Sequence, residues 1–97
     1  MMDYDTFLLS TEKEEQPPKT LPLALKALWW DKKGDWNKSH EFAQEKDKDG
    51  GAWVHAYLHR KEGDRFNAGY WYRKAGQPHC QLSLEKEWEQ ITKALLL

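Results

Sequence analysis

The stretch WVHAYLHRKEGDRFNAGYWYRKAG, residues 53–76, carries the reading of the fold. The pair Gly63-Asp64 divides it into two halves rich in aromatic and small residues. A glycine takes the left-handed conformation that ends a helix at little cost, and an aspartate just after it accepts from the first free N–H groups of the next helix. The halves therefore read as two helices, 52–62 and 65–75, folded back on each other, with Gly76 and Pro78 ending the second.

The same punctuation stands 29 residues earlier. Displacing the chain by that amount lays ALWWDKKGDWNKSHEFA (27–43) over AYLHRKEGDRFNAGYWY (56–72), so that Ala27 meets Ala56, Lys32 meets Lys61, Gly34-Asp35 meets Gly63-Asp64 and Ser39 meets Ala68. The first copy reads as helices over 20–33, with Thr20 as cap and Pro22 in the first turn, and over 35–46. DKDGG at 47–51 is a loop. Ser83 caps a fifth helix over 83–95 whose stripe Leu84, Trp88, Ile91, Leu95 makes one apolar face with glutamates between. Apart from a short QLSL at 81–84, no segment alternates as a half-buried strand does. The expected class is all-α: two tandem helical hairpins in a right-handed stack plus a C-terminal capping helix, in one domain over 20–97. Residues 1–19, with charge runs and Pro17-Pro18, read as a partly disordered N-terminal arm whose docking anchors are Tyr4, Phe7, Leu8 and Leu9.

A chain of 97 residues supports one small core, and its six Trp, four Tyr and three Phe concentrate the apolar area such a core needs. Lys and Arg total 15 against 16 Asp and Glu, a net charge of -1, which gives no broad positive field for phosphate backbones or anionic lipid. Nucleic-acid and membrane partners are therefore not expected. The single Cys80 cannot close an internal disulfide, the apolar runs are too short to span a bilayer, and the acidic start lacks the basic opening of a secretory signal. The expected setting is cytoplasmic.

The second hairpin resembles the tetratricopeptide repeat and its Sel-like relatives, which are helix-turn-helix units with small residues where the helices cross. Ala56 stands at the small position of the first helix, Gly63 at the turn, and Ala68, Tyr72 and Ala75 at the small, aromatic and small positions of the second. The run AGYWYRKAG (68–76) is similar to the second helix of a Sel-like repeat, although the period of 29 is shorter than the usual 34. As a whole the chain also resembles small uncharacterised bacterial proteins, which implies no activity. What the repeat resemblance implies is a concave groove lined by the first helix, and on that side lie Trp53, Tyr57, Arg60 and Lys61, residue types that dominate binding hot spots. The leading expectation is a helical-repeat protein-interaction module with a protein or peptide partner and no cofactor.

On the opposite side, His55, His59 and Glu62 fall at i, i+4 and i+7 and share one helical face. Two imidazoles at that spacing reach one Zn²⁺, and a carboxylate supplies a third ligand. Ala56 stands where the zinc-protease motif places its general base, so that mechanism is absent. With His40 on the preceding helix, the set forms the alternative expectation: a metal- or small-molecule-binding site, for zinc or another divalent transition metal. In the repeat register the same histidines take positions of packed side chains, and would be neutral, half-buried and bonded to neighbours such as Asn67 or Tyr72. His79-Cys80 reads as a loop pair, with no C-x-x-C anywhere to complete a structural zinc site. No Gly-rich phosphate loop or G-x-S-x-G elbow occurs, so nothing in the motifs calls for an enzyme of those types. A third expectation is a homodimer formed through Leu95, Leu96 and Leu97.

Overall fold

The structure, a computed structural model, describes residues 2–97. It builds them into six α-helices: α1 (Tyr4–Lys13), α2 (Leu23–Lys32), α3 (Trp36–Gln44), α4 (Gly51–Lys61), α5 (Arg65–Ala75) and α6 (Leu84–Leu95), with no strand among the described residues. The class is all-α, as expected.

The two Gly-Asp corners are built alike. Gly34 and Gly63 have φ of 91° and 87°, the left-handed region in which a side chain would be strained. Their N–H groups donate to the carbonyls of Asp31 and Arg60, and the next N–H groups, of Asp35 and Asp64, donate to those of Trp30 and His59. This pattern satisfies carbonyls left over at the ends of α2 and α4. Each aspartate then caps the next helix: Asp35 accepts from the Lys38 N–H at 3.0 Å and Asp64 from the Asn67 N–H at 3.1 Å. Every one of these contacts has its counterpart 29 residues away.

The corners turn α3 back on α2 and α5 back on α4, and α3 packs on α4 between the pairs. Ala27, Ser39, Ala56 and Ala68 are all fully buried, so the positions matched by the displacement are those where the backbones come close. The Ser39 hydroxyl donates to the Ala27 carbonyl at 2.6 Å, which satisfies the one polar atom placed there.

Three expectations change. Helix α6 does not cover an end of the row of helices; it lies across α2 and α4, burying Trp88 and Ile91, and the Trp88 indole N–H donates to the Leu28 carbonyl at 3.0 Å. The reason is the apolar face that α2 presents through Leu25, Leu28 and Trp29, which α6 helps to cover.

The N-terminal segment is a helix and not an arm. Asp3 caps α1 by accepting from the Thr6 N–H at 2.8 Å, Phe7 is fully buried, and the Trp29 indole N–H donates to Ser10 Oγ at 3.0 Å. The rings of Tyr4 and Phe7 lie 6.3 and 6.0 Å from that of Trp88. Of the expected anchors Phe7 is in the core, Tyr4 and Leu8 pack against it and Leu9 is exposed, and the helices of the described residues number six rather than five. Residue 1 of that arm lies outside the described residues.

The third change is at the helix ends. Pro22, not Thr20, is the N-cap of α2, with no side-chain hydrogen bond, because its ring carries no acceptor for the free N–H groups of the first turn. At the other terminus Leu95 and Leu96 are partly buried against the protein's own core and Leu97 is 98% exposed. Among the described residues no helix is long and apolar enough to cross a membrane.

Candidate metal centre

Helix α4 sets His55 and His59 one turn apart, and the packing of α3 against α4 delivers His40 to the same place. Trp36 holds the two helices in register: its indole N–H donates to the Leu58 carbonyl on α4 at 3.1 Å, while its ring stacks on His40, one turn further along α3, with centroids 4.9 Å apart. His40, His55 and His59 can each present a ring nitrogen such that all three lie within 4.8 Å of one another.

The closest pair is His40 Nε2 and His55 Nε2, at 3.0 Å. Two nitrogens bound to one tetrahedral zinc at about 2.0–2.1 Å would be separated by roughly 3.4 Å, so the observed spacing is a few tenths of an ångström short of a chelating one. The His55 and His59 rings stack at 4.8 Å, and the His40 ring stands across both at 85° and 84°. Trp71 of α5 closes the far side, stacked on His55 at 3.9 Å.

Glu62 is not placed as a third ligand beside His55 and His59. Helix α4 ends at Lys61, so the helical projection that put Glu62 on their face stops short of it. Its carboxylate Oε1 lies 2.8 Å from His59 Nδ1, and Asp64 Oδ2 is 3.9 Å from the same nitrogen. A carboxylate on Nδ1 holds the proton there and leaves the lone pair on Nε2, the tautomer a metal-binding imidazole needs. The third nitrogen donor comes from His40.

Burial lowers the pKa of His55 to about 4, with the neighbouring His40 and His59 adding to the effect, and burial followed by His59 lowers that of His40. These rings are neutral at physiological pH, which is the form that binds metals. The expected hydrogen-bond partners are not the ones found. Asn67 donates to Asp64, and the Tyr72 hydroxyl donates to Glu87. His55 Nδ1 is buried with no protein group in hydrogen-bond reach.

The groove-lining set is used inside the molecule. Tyr57 is 2% exposed and its hydroxyl donates to Asp31 Oδ2 at 2.6 Å; Lys61 pairs with Asp31 Oδ1 at 2.8 Å. Arg60 donates to the fully buried Glu87 at 2.6 Å and to the Leu82 carbonyl. Trp53 is half-buried and packs against both apolar clusters of the core. The side of α4 that would line a concave groove faces α2 and α6, with Tyr57 buried, Trp53 and Arg60 partly buried and Lys61 exposed.

Reading the sequence alone passed over four residues. Asp31 and Glu87 are the buried acids of two networks, and burial followed by these acids raises the pKa of Tyr57 and of Tyr72 respectively. Asp31 lies three residues before the Gly34 corner, but nothing at its position in the sequence marks it as buried. Trp36 and Trp71 flank the histidines. The spacing of Trp36 and His40, four apart on a helix, was the legible signal for the first of these.

Compared with known protein families, with curated proteins and with solved structures, the chain gives no match.

Proposed function

We propose that this protein binds a divalent transition metal through His40, His55 and His59, with Glu62 fixing the orientation of His59. The observation that carries the reading is the convergence of three imidazoles from two helices, with ligand-capable nitrogens all within 4.8 Å. Borderline imidazole donors suit zinc, copper and nickel better than calcium or magnesium. A structural role for the pair His40–His55 requires one of the two Nε2 atoms to carry a proton, whereas a metal takes both as lone-pair donors. Titration of chelator-treated protein with zinc, followed by calorimetry, tests the reading. The expected result is one ion per chain, lost in His40→Ala and His55→Ala; an unchanged heat in both variants would refute it.

A second reading, a protein-interaction module, is favoured by Phe66 and Tyr70, which stand 85% and 47% exposed one turn apart on α5. Exposed aromatics of this kind anchor protein or peptide partners. The double change Phe66→Ala and Tyr70→Ala should then abolish capture of a partner while leaving the helical content intact. The equivalent corners at Gly34-Asp35 and Gly63-Asp64 support treating α2–α5 as two tandem units of a tetratricopeptide-like kind.

A further inference from the structure

We infer that the metal ion held by His40, His55 and His59 keeps one coordination position for a small ligand from solution, a water molecule or an anion of a few atoms. This rests on the metal-binding reading above and concerns what the site does once loaded.

The donors available set the coordination of the ion. Structural zinc sites are closed by four protein ligands, whereas sites with three leave the fourth position to water or substrate. Among the described residues, the group containing His40 and His55 has His59 as its third and last His, Cys, Asp or Glu donor. The acids nearby have other partners. Glu62 is engaged by His59 Nδ1 at 2.8 Å, Asp64 accepts from both the backbone and the side chain of Asn67, and Asp47, whose charge reaches His55, is paired with Lys74 at 3.0 Å. Imidazole ligands bring no negative charge to the ion, so an anion entering the fourth position is attracted to it, against the smaller repulsion of Glu62 and Asp64 behind His59.

Access and size follow from the surroundings. His55 is buried against Trp71, but His40 is half-buried and the His59 side chain is 14% exposed, so the open side of the cluster lies at these two rings. Trp36 bounds that side, stacked on His40 and edge-on to His59 at 6.4 Å. Five cavities of about 310 to 590 Å³ lie elsewhere on the molecule, and none of the five is lined by a histidine of the cluster. With Trp36 and Trp71 packed against these rings, the space left at the ion suits a ligand of a few atoms with a nitrogen or oxygen donor.

Cobalt(II) serves as the probe, because its visible absorption reports both binding and coordination. Chelator-treated full-length protein is loaded with one equivalent of cobalt and titrated with azide. The expected result is a visible spectrum on loading and a saturable change in it as azide enters. Absence of any cobalt spectrum removes the metal reading and this inference with it. A normal cobalt spectrum that azide does not alter overturns this inference alone. Glu62→Ala locates the cause: an azide response that appears only in this variant means that Glu62 swings in to close the site, which also overturns the proposal. A saturable azide response in the wild type and also in Glu62→Ala, the variant being loaded with enough cobalt to saturate its weakened site, supports it.

Discussion

His40 Nε2 and His55 Nε2 face each other at 3.0 Å although 15 residues and a loop separate them in the chain. The contact joins α3 to α4, and therefore the first helical pair to the second. An ion bound there would tie the two pairs together, so its binding free energy should appear as folding stability.

The first prediction follows from that coupling. At a free zinc concentration about a hundred times the dissociation constant, an ion bound only to the folded state adds about 2.7 kcal/mol. For a domain of this size that corresponds to a rise in melting temperature of roughly 10 °C or more. Differential scanning calorimetry with and without zinc should show it in the wild type and not in His40→Ala. Glu62→Gln should keep the rise but require about tenfold more zinc, since it weakens only the carboxylate behind His59.

The second prediction concerns pH in the metal-free protein. Burial, then His40 and His59, holds the His55 pKa at about 4, while the unfolded chain takes up the proton near 6.5. Asp47 acts in the opposite direction on His55 but is paired with Lys74. Between those two values the unfolded state binds a proton that the folded state refuses. Stability is therefore full above about pH 6.5 and falls as the pH drops toward 4. Urea midpoints at pH 7, 5.5 and 4.5 should decline in the wild type and decline less steeply in His55→Gln. Equal slopes would mean that His55 is not held neutral.

Glu87 supplies the third. It is fully buried, accepts from Arg60 at 2.6 Å and from the Tyr72 hydroxyl, and so links α6 to α4 and α5. Removing one partner of a buried pair strands the other, at about 3 to 5 kcal/mol, and the 19% exposure of the Arg60 side chain places the cost near the lower figure. Glu87→Ala should lower stability by about 3 kcal/mol in urea unfolding. Tyr72→Phe should cost about 1 kcal/mol, because Arg60 continues to satisfy the carboxylate.

The fourth tests the crossing between α4 and α5. Ala68 has no exposed surface and packs with Ala56 and Tyr72. Ala68→Leu overfills that space and should cost about 1 to 3 kcal/mol. An unchanged melting temperature would show that the backbones are further apart than described.

The fifth concerns α1. Phe7 is fully buried beside Trp88, so Phe7→Ala should cost about 3 kcal/mol or more, as truncation of a core phenylalanine does. If residues 4–13 were a loose arm, the change would be neutral. Thermal denaturation of the single variant separates the two.

What could be read from the residues in order was whatever depends on near neighbours. Gly34-Asp35 and Gly63-Asp64 announce their corners because the left-handed glycine and the capping carboxylate act within a few residues of themselves. The helical face shared by His55 and His59 is legible for the same reason, as is the burial of small residues at Ala56 and Ala68. Asp3 and Phe7 carried similar local signals, a cap and an apolar position four residues on, but the surrounding charge concealed that Trp88 receives Phe7 and that Trp29 bonds Ser10. Which nitrogen meets which, and which face is covered, depends on residues distant in the chain. Tyr57 and Arg60 look like binding anchors until α2 brings Asp31 and α6 brings Glu87 beneath them. Glu62 looks like a ligand until the helix ends at Lys61 and its carboxylate turns to His59 Nδ1. His40 joins the cluster only because α3 packs on α4. A sequence states periodicity along one helix, and the angle and register at which two helices meet are set by the side chains of both.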